Sequence, residues 1–408
     1  MVRTPRTKIA FLTAGGLAPC LSASIGALIQ AYEERVPGCD MIGYLHGYRG
    51  LLLGSRISFS DAMRKRAHLL LRFGGSPIGN SRVKLTNRDD CVRRGYVKKG
   101  EDPVEAAAGQ LINDGVTILH TIGGDDTNTM AAALLKFLES RGHALTVVGL
   151  PKTVDNDIIP ITQTLGAWTA AEQGAIFFEN VVNENTTSTR QLIVHEVMGR
   201  HSGWLTAATA REYRARLAKK SFLPEILVTR QRWDIDAVYV PELKIDMEGE
   251  TERLLERMDT KDGVNLFLSE GAGVETIVSE KEARGETVER DPFGHVKLDT
   301  LNPGRWFADQ FARRLKAEKV LVQKSGYFAR SAAPNERDLD LIMRSCAMAV
   351  ECALEGKSGV VGLDDERDGA LGLIDFPRIR GGKPFDAGQP WFRDMLADIG
   401  QGQPGTSP

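Results

Sequence analysis

A chain of 408 residues, 42% apolar and 26% charged, can bury a large core unaided, and at about 150 residues per domain its length fits two or three domains. A formal charge of −2 argues against the basic face that a nucleic-acid partner or an anionic membrane would require. Glycine is in excess, 42 residues against 17 prolines and with no collagen period, so the surplus serves tight turns or close approach of backbone to ligands.

The first apolar run, Lys8–Thr13, follows a few basic residues and stops at a Gly pair. It is too short for a signal peptide and reads as a buried strand. Leu21–Glu34 has helical spacing, and Met41–Leu45 is a second strand. Thr117–Ile122 (TILHTI) is a third strand, followed by a helix over Asn128–Ser140, a fourth strand at Thr146–Leu150 and a long helix over Leu165–Asn185. Strands are then expected at Gln191–Val197, Glu225–Val228, Val264–Leu268, Lys319–Gln323 and Gly359–Leu363, with helices at Pro303–Ala317 and Arg337–Glu355. The charged stretches 230–262 and 274–300 read as surface excursions, and the polar, Gly/Pro-rich residues 399–408 as a flexible tail.

This alternation predicts an α/β protein with mostly parallel sheets. No apolar stretch approaches the ~18 residues of a membrane helix. Five cysteines (Cys20, Cys39, Cys91, Cys346, Cys352), an odd number with no CxxC, read as free thiols in a reducing compartment. A protein located in the cytoplasm, with no membrane partner, is expected.

In such sheets ligands bind beyond the carboxyl ends of the strands. Three loops leave that edge. Thr13-Ala14-Gly15-Gly16-Leu17-Ala18-Pro19-Cys20 follows the first strand and enters a helix, where free backbone N–H groups suit an anion, although a plain tight turn has the same sequence. Gly123-Gly124-Asp125-Asp126-Thr127 follows the third; the Gly pair admits a phosphate and a carboxylate beside it suits Mg²⁺, the bland alternative being helix capping by Asp126 or Thr127. Pro151-Lys152-Thr153-Val154-Asp155-Asn156-Asp157 follows the fourth and supplies a cation and several acceptors. Together they offer a metal-holding carboxylate, a cation for the transferring group and a base, the parts that a Mg²⁺-dependent phosphoryl transfer needs.

GGDDT, PKTVDND and Met198-Gly199-Arg200-His201-Ser202-Gly203-Trp204, in that order, resemble the phosphofructokinase family. The resemblance extends to Gly74-Gly75-Ser76-Pro77-Ile78-Gly79-Asn80-Ser81-Arg82, to Ser269-Glu270-Gly271 and to Gly326-Tyr327-Phe328-Ala329-Arg330. It is closest to the pyrophosphate-dependent branch, because ATP-dependent members typically have Gly where Asp126 and Lys152 stand. An Asp adds bulk and charge against a further phosphate, and the Lys restores a cation.

The resemblance implies two Rossmann-like domains with the active site in the cleft between them: residues 1–160, rejoined by part of 330–385, on the donor side, and 161–330 on the sugar-phosphate side. It implies phosphoryl transfer from pyrophosphate to the 1-hydroxyl of fructose 6-phosphate, Mg²⁺ as cofactor, and a homodimer or homotetramer. Asp155 would be the general base, with Lys152, Asp126 and Arg200 as further catalytic residues. Gly15, Gly124 and Lys152 would bind pyrophosphate, and Asp125 the metal. Thr153, Asp155, Met198, Gly199, Arg200, Glu270, Tyr327 and Arg330 would hold the sugar phosphate. Three alternatives remain: ATP as donor, sedoheptulose 7-phosphate as acceptor, and a non-catalytic regulatory subunit that keeps the fold. Departures from the family pattern lie in the first loop, at Ser331, and at Arg190, one place out of register with an arginine of the ATP enzymes; the role of Arg82 stays open.

Overall fold

The computed structural model describes residues 7–290 and 296–402. Eleven strands are found there: β1 Lys8–Thr13, β2 Asp40–Tyr44, β3 Arg56–Ser58, β4 Ile118–Gly123, β5 Thr146–Pro151, β6 Gln191–Val197, β7 Ala237–Tyr239, β8 Gly263–Ser269, β9 Lys319–Lys324, β10 Gly359–Asp364 and β11 Ala370–Ile374. The chain falls into two compact units, Met1–Thr169 with Arg330–Lys383, and Ala170–Ala329 with Pro384–Pro408.

The first unit is built on a seven-stranded sheet of order β11-β10-β5-β4-β1-β2-β3. Pairing is parallel from β10 through β2, with the antiparallel strands β11 and β3 at the edges. Every residue of β4 is buried, as expected of a parallel strand covered on both faces. The helix Leu21–Arg35 is buried for most of its length and packs against the helix Glu336–Leu354. The second unit carries a four-stranded parallel sheet, β7-β8-β6-β9, in which β6 and β8 are wholly buried.

Several expectations are corrected. Glu225–Val228 forms no strand. Pro224 opens a 3-10 turn, Leu227 takes a left-handed conformation (φ +66°), Ile226 and Leu227 are exposed, and Val228 pairs back onto Leu223 in an isolated bridge, so the segment joins neither sheet. The stretch 230–262 is no mere excursion: it holds β7 and a helix, Met247–Lys261, that buries Leu254 and Met258. Within 274–300 lies the helix Val274–Ala283, while residues 291–295 are outside the described residues. Of the expected tail, the Gln401 side-chain amide accepts from Val238 N (2.8 Å) and donates to Val238 O (3.2 Å), satisfying the backbone of an edge strand. Residues 403–408 lie outside the described residues. All five cysteines are buried and unpaired with one another.

Candidate active site

In the first unit the loops after β1, β4 and β5 assemble at one sheet edge. Gly15 takes φ +83°, a conformation that favours glycine, and a side chain there would press on Lys152 Nζ. Asn80 Nδ2 donates to the carbonyls of Gly15 (3.2 Å) and Gly16 (3.4 Å), so the 74–82 segment braces the first loop. The Gly15 N–H, expected to serve pyrophosphate, donates to Ser81 O at 2.9 Å. Arg82 lies over Gly16, whose Cβ would sit 3.6 Å from the guanidinium.

After β4, Gly124 is the N-cap of the helix Asp125–Ser140 and no side chain caps it. Asn128 holds the turn, donating through Nδ2 to Gly123 O (3.3 Å) and Gly124 O (3.0 Å). Capping by Asp126 or Thr127 is therefore not the local arrangement. Asp125 and Asp126 occupy the first helical turn, where the helix dipole favours negative charge. Asp126 Oδ2 meets Lys84 Nζ at 2.6 Å. Asp125 faces the backbone of Gly381.

Lys152 is 4% exposed and donates from Nζ to Gly16 O at 2.6 Å. Burial lowers its pKa from 10.5 to about 8; Arg82 acts in the same direction, while Cys20, Asp155 and Asp157 oppose it. The loop beyond is ordered by Asn156 in a left-handed conformation (φ +53°). Its Oδ1 accepts from Thr164 N (2.8 Å) and Thr164 Oγ1 (3.1 Å), and its Nδ2 donates to Thr162 O (3.1 Å). Thr164 Oγ1 also donates to Thr153 O (2.8 Å), and Asp155 N donates to Thr153 Oγ1 (3.1 Å). Asp155 is half-buried, next to the residue that fixes the loop.

In the second unit, Met198-Gly199-Arg200 leaves the end of β6 and Glu270 the end of β8, the neighbouring strand. Gly199 (φ +128°) accepts at its carbonyl from Ser269 Oγ (2.5 Å), and Gly271 packs on the Arg200 carbonyl, so the two loops interlock. Met198 packs on the backbone of Gly326, at the start of the helix Gly326–Arg330 that carries Tyr327; Arg330, the last residue of that helix, is counted with the first unit. Tyr327 is 79% exposed. Arg200 and Gly271 line a cavity of about 890 Å³ walled also by Glu242, Lys244 and Trp306. Arg190 is spent within its own chain: it donates to Asp259 Oδ1 (2.7 Å), Lys316 O (2.9 Å) and Leu315 O (2.6 Å).

Lys84, Gly381, Asn80 and Asn156 take part in these contacts without being marked individually by the sequence. Asn156 stood inside a motif already singled out, and Gly381-Gly382 was a Gly pair without an assigned purpose. Lys84 carried no signal of its own.

The phosphofructokinase family model matches residues 8–353. The pyrophosphate–fructose 6-phosphate 1-phosphotransferase of Methylomonas methanica is 60% identical over 395 residues, 97% of this chain and 96% of that protein. The enzyme of the same name from Mastigamoeba balamuthi is 57% identical over 401 residues, 98% and 97% of the two chains. Among solved structures, a pyrophosphate-dependent phosphofructokinase from Marinobacter aquaeolei superposes with a TM-score of 0.68 at 19% identity, covering 98% of this chain and 93% of that one, a likeness of fold.

Proposed function

This chain belongs to the phosphofructokinase family, and we propose that it transfers a phosphoryl group from pyrophosphate to the 1-hydroxyl of fructose 6-phosphate, giving fructose 1,6-bisphosphate and phosphate, reversibly. The observation that carries the reading is the pair at positions 152 and 126 within a chain of this family: a buried lysine against the Gly16 carbonyl, and a carboxylate on the first turn of the neighbouring helix. A bulky, salt-bridged side chain at position 126 disfavours a nucleotide, and a lysine set among three loops at one sheet edge favours a compact, highly charged donor.

The proposed chemistry uses this chain's own groups as follows. Asp155 accepts the proton of the sugar 1-hydroxyl as that oxygen attacks phosphorus, and the P–O bond to the leaving phosphate breaks. Lys152 stabilises the charge that spreads over the transferring group, a task that needs it protonated. Gly124 lets the donor approach the helix N-terminus, and Thr153 orders Asp155 while facing the sugar. Met198, Gly199, Arg200 and Glu270 hold the sugar, with Arg200 also serving the transferring group. Tyr327 and Arg330 hold the 6-phosphate, where an Arg fork suits the dianion.

Mg²⁺ fits the donor group. No cluster of three or more His, Cys, Asp or Glu residues that could cage a metal occurs among the described residues, and Mg²⁺ ordinarily takes one or two carboxylates together with substrate phosphates and water. Asp125 would be the carboxylate, and the bound ion would neutralise phosphate charge. Among the described residues no helix is long and apolar enough to cross a membrane; we place the enzyme in the cytoplasm, as a homodimer or homotetramer, on the family resemblance.

The test is direct. Incubated with fructose 6-phosphate, pyrophosphate and Mg²⁺, the protein should yield fructose 1,6-bisphosphate and phosphate, and should run backwards from those two products. Phosphorylation of sedoheptulose 7-phosphate without that of fructose 6-phosphate would overturn the acceptor.

A further inference from the structure

The Lys84–Asp126 pair is built from two anchored elements. Leu85 is buried and its N–H meets Met130 Sδ (3.0 Å) in the helix that begins at Asp125, while the Lys84 carbonyl accepts from Asn87 N (3.0 Å) and from Cys91 Sγ (3.5 Å). Asp126 stands on the first turn of that helix, rooted through the buried Met130, Ala131 and Leu134. The ammonium and carboxylate meet at 2.6 Å with side-chain exposures of 36% and 58%, so the contact is open to a ligand on the donor loop.

A lone carboxylate beside Asp125 and a donor anion repels every phosphate, the transferred one included. Paired with an ammonium, it keeps its bulk and loses most of its field. We propose that Lys84 is a donor-specificity residue: it pins the Asp126 carboxylate across the donor loop, so that position 126 rejects a donor larger than pyrophosphate by a fixed side chain and not by a free negative charge. The inference rests on the pyrophosphate reading above.

The test compares wild type, Lys84→Met, Asp126→Asn and the double variant, all assayed with fructose 6-phosphate and Mg²⁺ against pyrophosphate, tripolyphosphate and ATP, with melting temperature as control. Lys84→Met frees the carboxylate, and the KM for pyrophosphate should rise about tenfold or more, with kcat changing less. The double variant keeps both shapes without either charge, so its KM should return toward wild type and it should still reject the longer donors. Independent, additive effects on KM would instead make Lys84 a direct phosphate ligand and overturn the proposal, as would an unchanged KM in Lys84→Met. A wild type that does not use pyrophosphate would overturn the parent reading and this one with it.

Discussion

The backbone of Gly381 lies against the carboxylate of Asp125, so near that a Cβ at position 381 would sit 2.6 Å from Asp125 Cγ. The contact is set by pairing of 380–383 with the loop after Asp155: Ile159 N donates to Arg380 O (2.7 Å), Arg380 N to Ile159 O (3.0 Å) and Lys383 N to Asp157 O (2.9 Å). Gly381 is not among the glycines with positive φ, so alanine there meets a steric problem and no backbone strain.

Gly381→Ala should therefore displace Asp125 and leave the fold intact. An aim lost by about 1 Å can cost on the order of a hundredfold in rate. The expected outcome is a rise in the Mg²⁺ concentration needed for half-maximal rate and a fall in kcat, with an unchanged circular-dichroism spectrum. An unaltered Mg²⁺ dependence would remove Asp125 from the metal role.

Lys152 predicts a pH limb. Its pKa is lowered in the folded enzyme to about 8, so the cation is present below that pH and is lost as pH rises through it. The kcat/KM for pyrophosphate, which reports the free enzyme, should fall above pH 8. Lys152→Arg, whose guanidinium stays charged, should lack this limb; titration of the donor itself is common to both enzymes and cancels in the comparison. Superimposable profiles would refute the role. The same shift makes burial of the cation a cost to stability below pH 8, a cost that fades between about 8 and 10.5.

Asp155→Asn keeps the shape and removes the base. A fall in kcat of about 10²- to 10⁴-fold is expected, with a smaller change in the KM for fructose 6-phosphate. Asn156→Ala removes the three hydrogen bonds that order the loop and leaves a residue at φ +53° without its side-chain anchors, so both melting temperature and kcat should fall. Full kcat in Asp155→Asn would assign the base elsewhere.

Much of the fold was legible because its strands are continuous apolar runs with helices between them; Lys8–Thr13 and Gln191–Val197 have the expected bounds. What failed were elements defined by partners. β3 and β11 are short antiparallel edges, and β7 is three residues whose place depends on β8. The helix Met247–Lys261 hid because only Leu254 and Met258 are buried in an otherwise charged face. At the candidate site the loops were legible because each follows a strand end. The partner of the Gly15 N–H, Ser81, was not legible because it arrives from 66 residues away. Lys84 meets Asp126 and Gly381 meets Asp125 across long separations in sequence, which no local pattern encodes.

Acid should destabilise the protein through its core histidines. His195 is wholly buried against Phe177, Phe178 and Phe267, and burial lowers its pKa from 6.5 to about 3; His120, buried beside Tyr32, is lowered to about 4. Between those values and 6.5 the unfolded chain binds protons that the folded chain refuses. Stability should therefore fall as pH drops from about 6.5 toward 4, by about 1.4 kcal/mol per pH unit for each histidine. His195→Phe should flatten that slope in denaturant titrations; an unchanged slope would contradict the assignment.

The donor decides the account. The most direct measurement is kcat/KM for pyrophosphate and for ATP on one preparation, with fructose 6-phosphate and Mg²⁺ at saturation. Rapid turnover with pyrophosphate and little or none with ATP is expected. Turnover with ATP and none with pyrophosphate would contradict it.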